Sequence, residues 1–325
     1  MTAGLSIGGL APLASALSTF ALLALLLRHR GLPLDTPNAR SLHSAPIPRA
    51  GGLAVVPAIA VGWLMIPAAV PWYVWAPALL LFGLSFLDDM TDLPIVLRLL
   101  AHLAAASLVA VVLILPNAGP AAALVGALAI AWMTNLYNFM DGSDGLAGGM
   151  TLFGFCGYAI AAWMGDAHAL ALACVSVAAA SAVFLRFNFH PARVFLGDAG
   201  SIPIGFLAAA LGAQGWIDGL WPAWFPLLVF SPFVVDASVT LARRILRREK
   251  FWQAHRDHYY QHLVRHGWGH RRTAVVEYTL MLYCGALALI AVGAPPLTQY
   301  LVIAMLALSY LVLIFWVERI CKDAK

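Results

Sequence analysis

The sequence predicts an all-α polytopic membrane protein of about eleven transmembrane helices, and three observations carry that expectation. Of 325 residues, 62% are hydrophobic and 10% charged, with a mean hydropathy of +0.85, so polar groups could not cover a water-facing surface. Apolar runs at 8–27, 53–69, 72–87, 97–115, 121–137, 150–164, 168–185, 202–214, 222–242, 273–293 and 297–316 each approach the roughly 20 residues that cross a bilayer as a helix. With the N-terminus in the periplasm, strict alternation puts the loops 28–52, 88–97, 138–149, 186–201 and 243–272 and the C-terminus on one side. Those segments, with Arg98, hold all 19 lysines and arginines, which makes that side the cytoplasm.

Taken in order, the first run reads as a retained span, because no charged region precedes it and LRHRG follows in place of a small-residue cleavage site. The opposite loops PNAGP (116–120) and GAPPL (293–297) carry no charge. Trp163, Trp216, Trp221 and Trp224 fall near the outer span ends, where indole rings sit at a headgroup boundary. Cys156, Cys174 and Cys284 lie inside apolar runs and Cys321 near the C-terminus, so they offer neither a disulfide frame nor a zinc spacing. No repeat or linker divides residues 1–325, which read as a single integral-membrane domain. The net charge of +4 is an orientation signal and calls for no nucleic-acid partner.

The chemistry concentrates where spans three, five and seven meet the cytoplasmic side. Carboxylates held at one membrane depth repel each other, and the usual reason to collect them is to hold a cation or move protons. FLDDMTDLP carries Asp88, Asp89 and Asp92, which would share a face if the segment is helical; such oxygen-rich strings suit a cation bridging phosphates. NLYNFMDGSDGLAGG spaces Asn135, Asn138, Asp141 and Asp144 three apart, among glycines whose backbone can approach an anionic ligand. VFLGDAGSIPIGF puts Asp198 in a tight turn before span eight, where Ser201 is placed to cap and the helix N-terminus favours anions.

The loop 243–272 holds five of the ten histidines, His255, His258, His262, His266 and His270. Arginines and lysine precede and interrupt them, so the pattern suits phosphate contact better than zinc, with an electrostatic anchor to anionic membrane lipid as the plainer reading. Asp236 and Glu277 are the remaining acids within spans, each open to either an interhelical hydrogen bond or a functional role.

Together, FLDDMTDL, NLYNFMDGSDGLAGG, FLGDAGSIPIGF and the histidine loop resemble the polyprenyl-phosphate N-acetylhexosamine-1-phosphate transferases, the MraY and WecA superfamily of glycosyltransferase family 4. DTPNARSLHSAPIPRAGGL and AHRDHYYQHL look more like the branch that initiates O-antigen or capsule chains. The resemblance implies Mg2+, or Mn2+, held by Asp198 and Asn138, with Asp88 and Asp89 at the reacting phosphates. It implies substrate contacts from Asn135, Asp141, Asp144 and Arg98, and from His255, Arg256 and His258 of the histidine motif, although the spacing of these histidines departs from that of WecA. The expected substrates are undecaprenyl phosphate and a UDP-N-acetylhexosamine, and the products UMP and an undecaprenyl-diphosphate sugar. The expected setting is a bacterial inner membrane with the site on its cytoplasmic face, and a homodimer is the default assembly.

Two rival readings exist. A UbiA-type prenyltransferase needs a second aspartate motif that NFMDGSDG only begins. A cation-coupled transporter would place its acids near the membrane midplane, where Asp236 and Glu277 are the candidates.

Overall fold

The computed structural model describes residues 7–29, 31–37, 41–66, 69–250 and 255–322. The chain is 78% helical, and the one sheet among the described residues pairs β1 (Leu34–Asp35) antiparallel with β2 (Ile47–Pro48), so the all-α expectation holds. The helices are α1 (Ala11–Leu26), α2 (Gly51–Leu64), α3 (Trp72–Thr91), α4 (Ile95–Val109), α5 (Leu115–Phe139), α6 (Leu146–Met164), α7 (His168–Asn188), α8 (Asp198–Ile217), α9 (Trp224–Val229), α10 (Ser231–Leu246), α11 (Tyr259–Leu263), α12 (Gly269–Ala291) and α13 (Pro296–Lys322).

Seven helical stretches among the described residues are long and apolar enough to cross a membrane. One of them, 95–139, comprises α4, a π-turn at Ala110–Ile114 and α5, and at 45 residues exceeds what a bilayer needs. It breaks at Gly119 (φ 82°, ψ 174°), inside the predicted outer loop at 116–120. The apolar helices α1 and α2 are shorter, at 16 and 14 residues. The expected span at 222–242 is broken into α9 and α10 at Phe230 (φ −96°, ψ 12°). Pro232 supplies the cause, since its ring would crowd the carbonyl four residues back in a continuous helix. The Ser231 hydroxyl donates to that carbonyl, Leu228 O, at 2.7 Å.

Helices α8 and α6 are buried along 78% and 72% of their spanning windows, against 17% for α13, which places α6 and α8 centrally and α13 at the periphery. Around them sits an aromatic core: Tyr137 meets Phe233 edge-on at 5.1 Å, and Tyr158 meets Phe230 at 5.4 Å while donating from Oη to Ala208 O at 2.8 Å. Trp221 belongs to this core and corrects the expectation of an interfacial ring. It is 3% exposed, stacks on Tyr158 at 5.2 Å and donates Nε1–H to Gly212 O, so its polar edge has a protein partner. Trp163, at 59% exposure, does face outward. Cys174 and Cys284 are buried and Cys156 partly so, all free, while the Cys321 side chain lies outside the described residues.

The loop before α2 docks onto the loop before α8. Phe195 N–H donates to Pro48 O, and Gly51 and Gly52 N–H donate to Phe195 O and Leu196 O at 2.8 and 2.7 Å. A Cβ on Gly52 would collide with the backbone of Ala199 and Gly200, so only glycine permits this approach.

Candidate functional site

Three helix ends converge. α3 ends in Asp88 and Asp89, α5 in Asn138 with Asp141 just beyond, and α8 begins at Asp198, after Gly197 (φ 72°) turns the chain where a side chain would be strained. Arg98, on the first turns of α4, ties two of them together: its Nη1 lies 2.6 Å from Asp88 Oδ2 and 3.6 Å from Asp198 Oδ2. Asp88 also accepts Leu93 N–H at 2.7 Å, so both its oxygens are engaged. Asp89 accepts Ala199 N–H at 3.2 Å, which pins α3 to the start of α8.

A second cation, which sequence reasoning missed, is Arg49. Its Nη1 is 3.6 Å from Asp89 Oδ1 and its Nη2 donates to Asp35 Oδ1 at 2.7 Å; Asp35 is itself held by His43. The available signal was the glycine pair after Arg49, which lets that loop reach Phe195 and Leu196.

Asn138 Nδ2 faces Asp198 Oδ2 at 3.4 Å, and its Oδ1 accepts the Ser201 hydroxyl at 2.9 Å. Ser201 therefore orients Asn138 and makes no cap on α8, which corrects the capping expectation. Turning the amide over would present oxygen beside Asp198 and leave Ser201 to accept, since a hydroxyl serves either way. Asp141 is half-buried, and its carboxylate has no hydrogen bond among the described residues. Burial pushes that carboxyl well above the usual carboxylate range, and Asp198 and Asp89 push it the same way. Asp92 leaves the group: α3 stops at Thr91, Asp92 takes a left-handed conformation (φ 51°) and is exposed, so the three acids do not share a face.

Other predicted site residues face elsewhere. Asn135 Oδ1 accepts from His102 Nδ1 at 3.1 Å and its Nδ2 donates to Ala131 O. Asp144 accepts from His190 Nδ1 at 2.7 Å and from Ala192 N–H, beside His270, which stacks on His190 at 5.4 Å. His258 is buried and donates from Nδ1 to Asp236 Oδ1 at 3.1 Å. Asp236 also accepts Tyr259 N–H, Tyr260 N–H and the Thr240 hydroxyl, so it anchors the N-terminus of α11 to α10. Next to it, His255 packs on the His258 ring at 5.0 Å; burial, then His258 and Arg244, lower its imidazole to about 4. Arg256 lies half-buried in the same loop, whose residues 251–254 fall outside the described residues, as do 38–40 of the early motif. Tyr260 Oη donates to Phe139 O at 3.2 Å, which docks the histidine loop on the Asn138–Asp141 turn.

Asp88, Asp89, Asp141, Asp198 and Asn138 thus form an oxygen-only donor set with two arginines. Among the described residues no three His, Cys, Asp or Glu side chains gather as a ready-made metal cage. The oxygen donors alone are of the kind that a Mg2+ or Mn2+ ion would take, usually one or two carboxylates, with water and substrate phosphate completing the shell. Relief of the mutual repulsion of these acids is what such an ion would contribute.

Residues 71–215 match the family described as Glycosyl transferase family 4. A probable undecaprenyl-phosphate N-acetylglucosaminyl 1-phosphate transferase of Bacillus subtilis (strain 168) is 26% identical over 264 residues, covering 76% of this chain and 74% of that protein. The undecaprenyl-phosphate alpha-N-acetylglucosaminyl 1-phosphate transferase of Yersinia pestis is 26% identical over 318 residues, 90% of this chain and 86% of its own. A phospho-N-acetylmuramoyl-pentapeptide-transferase of Staphylococcus epidermidis is 32% identical over 159 residues, 48% of this chain and 47% of its own. All three converging aspartate loops of this multi-pass membrane chain lie inside the stretch that matches Glycosyl transferase family 4, and along most of its length the chain is similar to polyprenyl-phosphate N-acetylglucosamine-1-phosphate transferases.

Proposed function

We propose that the chain transfers an N-acetylated amino-sugar-1-phosphate from a UDP-sugar to undecaprenyl phosphate on the cytoplasmic face of a bacterial inner membrane. The products are UMP and an undecaprenyl-diphosphate sugar, the first lipid-linked intermediate of an O-antigen or other envelope polysaccharide. The observation that carries this reading is the convergence of Asp89, Asp141 and Asp198 with Arg49 and Arg98 at three helix ends, which suits phosphate chemistry at a membrane boundary. The acids stand at helix ends and not at mid-span, which disfavours the transporter reading.

In the reaction, an oxygen of the lipid phosphate attacks the sugar-bearing phosphorus of the donor, and the bond from that phosphorus to the oxygen of UMP breaks. Asp198 and Asn138 would hold a Mg2+ or Mn2+ ion, whose chemistry would be to set positive charge against the diphosphate. Arg98 and Arg49 lie beside the same carboxylates and would share the phosphate charge. Asp88 is engaged by Leu93 and Arg98, so its role is to position Arg98. Asp89 and Asp141 are left to receive any proton the lipid phosphate carries; with a second ionisation near neutrality, that phosphate needs no strong base. The loop of His255, Arg256 and His258, which α11 and Tyr260 hold against the Asn138–Asp141 turn, forms the nucleotide-sugar side of the site, with the buried His258 docking that loop on Asp236.

The test is UMP release by purified protein given undecaprenyl phosphate and a panel of UDP-N-acetylhexosamines, with and without EDTA. Release that requires lipid and is lost to EDTA supports the reading. A folded, monodisperse protein that neither releases UMP from any donor nor binds labelled UMP overturns it.

A further inference from the structure

On the far flank of the histidine loop lies a cavity of about 670 Å3 that shares no residue with the carboxylate cluster. Adjacent residues of α11 divide the two: Tyr260 reaches Phe139 on the acidic side, whereas Tyr259 lines the cavity, lies under Arg243 at 5.4 Å and donates to Glu318. Four arginines face this cavity, Arg243, Arg244, Arg247 and Arg265, against two acids, Asp257 and Glu318. Both acids are taken: Glu318 pairs with Arg243 and Asp257 with Arg244. Arg247 and Arg265 are exposed and pair with no carboxylate among the described residues, and Arg244 keeps a buried Nε–H without an acceptor. Glu249 also pairs with Arg244, which leaves four arginines against three acids, and the two arginines without a carboxylate, Arg247 and Arg265, offer donors in the planar forks that match phosphate oxygens.

The chain next to the cavity is apolar and open. Ile245 and Leu246, which precede Arg247, are 51% and 83% exposed, and Val312, Phe315 and Trp316, which precede Val317 and Glu318, are 60%, 68% and 41% exposed. A charged hollow bordered by outward apolar side chains at a helix end suits a headgroup whose acyl chains continue along α10 and α13.

We propose that this cavity binds the phosphate monoester headgroup of a membrane lipid, as a site separate from the carboxylate cluster. A phosphate monoester carries about 1.5 to 2 negative charges at neutral pH, and Arg247 and Arg265, which pair with no carboxylate among the described residues, are there to meet them.

The experiment is native mass spectrometry of the full-length chain in detergent, titrated with phosphatidic acid or with phosphatidylcholine of the same acyl chains, with inorganic phosphate as a soluble competitor. Phosphatidic acid should bind at least tenfold more tightly than phosphatidylcholine. The variant R247A/R265A should lose that preference while keeping its helical signal, because both side chains are exposed. R193A/R272A removes the same charge from exposed positions outside the cavity and should retain it. Equal binding of the two lipids by the wild type overturns the proposal, as does loss of preference in R193A/R272A to the same degree, which means diffuse electrostatics. If inorganic phosphate binding is lost in R247A/R265A while lipid binding is unchanged, the site takes a soluble anion and the lipid assignment is wrong.

Discussion

Replacing Asp236 should release the histidine loop without unfolding the helical bundle. Its carboxylate is 7% exposed and accepts four hydrogen bonds: His258 Nδ1–H and Tyr259 N–H at 3.1 and 3.0 Å and the Thr240 hydroxyl on Oδ1, and Tyr260 N–H at 3.1 Å on Oδ2. In Asp236→Ala the two backbone donors at the start of α11 lose their acceptor, at about 1–3 kcal/mol each. The sum, about 2–6 kcal/mol, favours an opened loop by roughly 30-fold or more, at 1.4 kcal/mol per decade. Asp236→Asn keeps Oδ1 and sets an amide donor against only one N–H, so its cost should be about half. Hydrogen exchange over 255–263 reads this directly: Ala loses protection strongly, Asn partly, and α6 and α8 keep theirs. Under the proposed reaction, donor KM should rise in the same order. Wild-type protection of 255–263 in Asp236→Ala would refute the claim that this carboxylate docks the loop.

Asp198→Asn should lower turnover by on the order of 10²-fold or more while the protein inserts and melts normally, since it removes charge at the helix end shared with Arg98 and Asn138; near-normal turnover would sink the role of Asp198. Gly52→Ala should cost about 1–3 kcal/mol, because the added methyl meets backbone and not a flexible side chain; an unchanged thermal midpoint would contradict the close approach of α2 to α8. The His255 imidazole, lowered to about 4 from 6.5, favours the docked loop fully above pH 6.5, and that contribution disappears as pH falls toward 4. Exchange protection of 255–263 should therefore weaken over that window in the wild type and weaken less in His255→Gln.

The legible parts of this chain are those that depend on segment length and sign of charge. Apolar runs located the helices, and placing Asp88, Asp89, Asn138 and Asp198 at helix ends anticipated residues that do converge. Spacing misled where a helix stops. Asn135, Asn138, Asp141 and Asp144 recur at intervals of three, but α5 ends at Phe139, and beyond it the interval does not fix direction. Asp141 consequently stays with the acids, whereas Asp144 turns to His190 and Asn135 to His102. The same cause removes Asp92 from its neighbours. Arg49 was invisible because it lies forty residues upstream of Asp89 and reaches it only through backbone docking that two glycines permit. His258 looked available because sequence alone does not pair a loop histidine with an aspartate on another helix.

The charge balance of the cluster raises one last question that a rate measurement can decide. Among the described residues, Asp35, Asp88, Asp89, Asp141 and Asp198 stand against the two arginines Arg49 and Arg98, with His43 on Asp35, so the fully ionised carboxylates outnumber the arginines, yet both proposed substrates are phosphate anions. Something must compensate before they can approach, and the residues offer two routes. Asp141, pushed up by burial and by its neighbours, could hold a proton; or a divalent cation could be bound by the oxygen donors. The routes respond oppositely to acid. A proton on Asp141 is gained as pH falls, so protonation alone predicts that lowering pH restores turnover after EDTA treatment. A cation competes with protons for the same oxygens, so its route predicts no recovery in EDTA and a metal requirement that rises as pH falls. We expect the second pattern, because Asp198 and Asn138 lie beside Asp141 without cationic partners beyond Arg98 and Arg49. Recovery of UMP release at low pH in EDTA would assign the compensation to Asp141, and Asp141→Asn would then retain activity without metal.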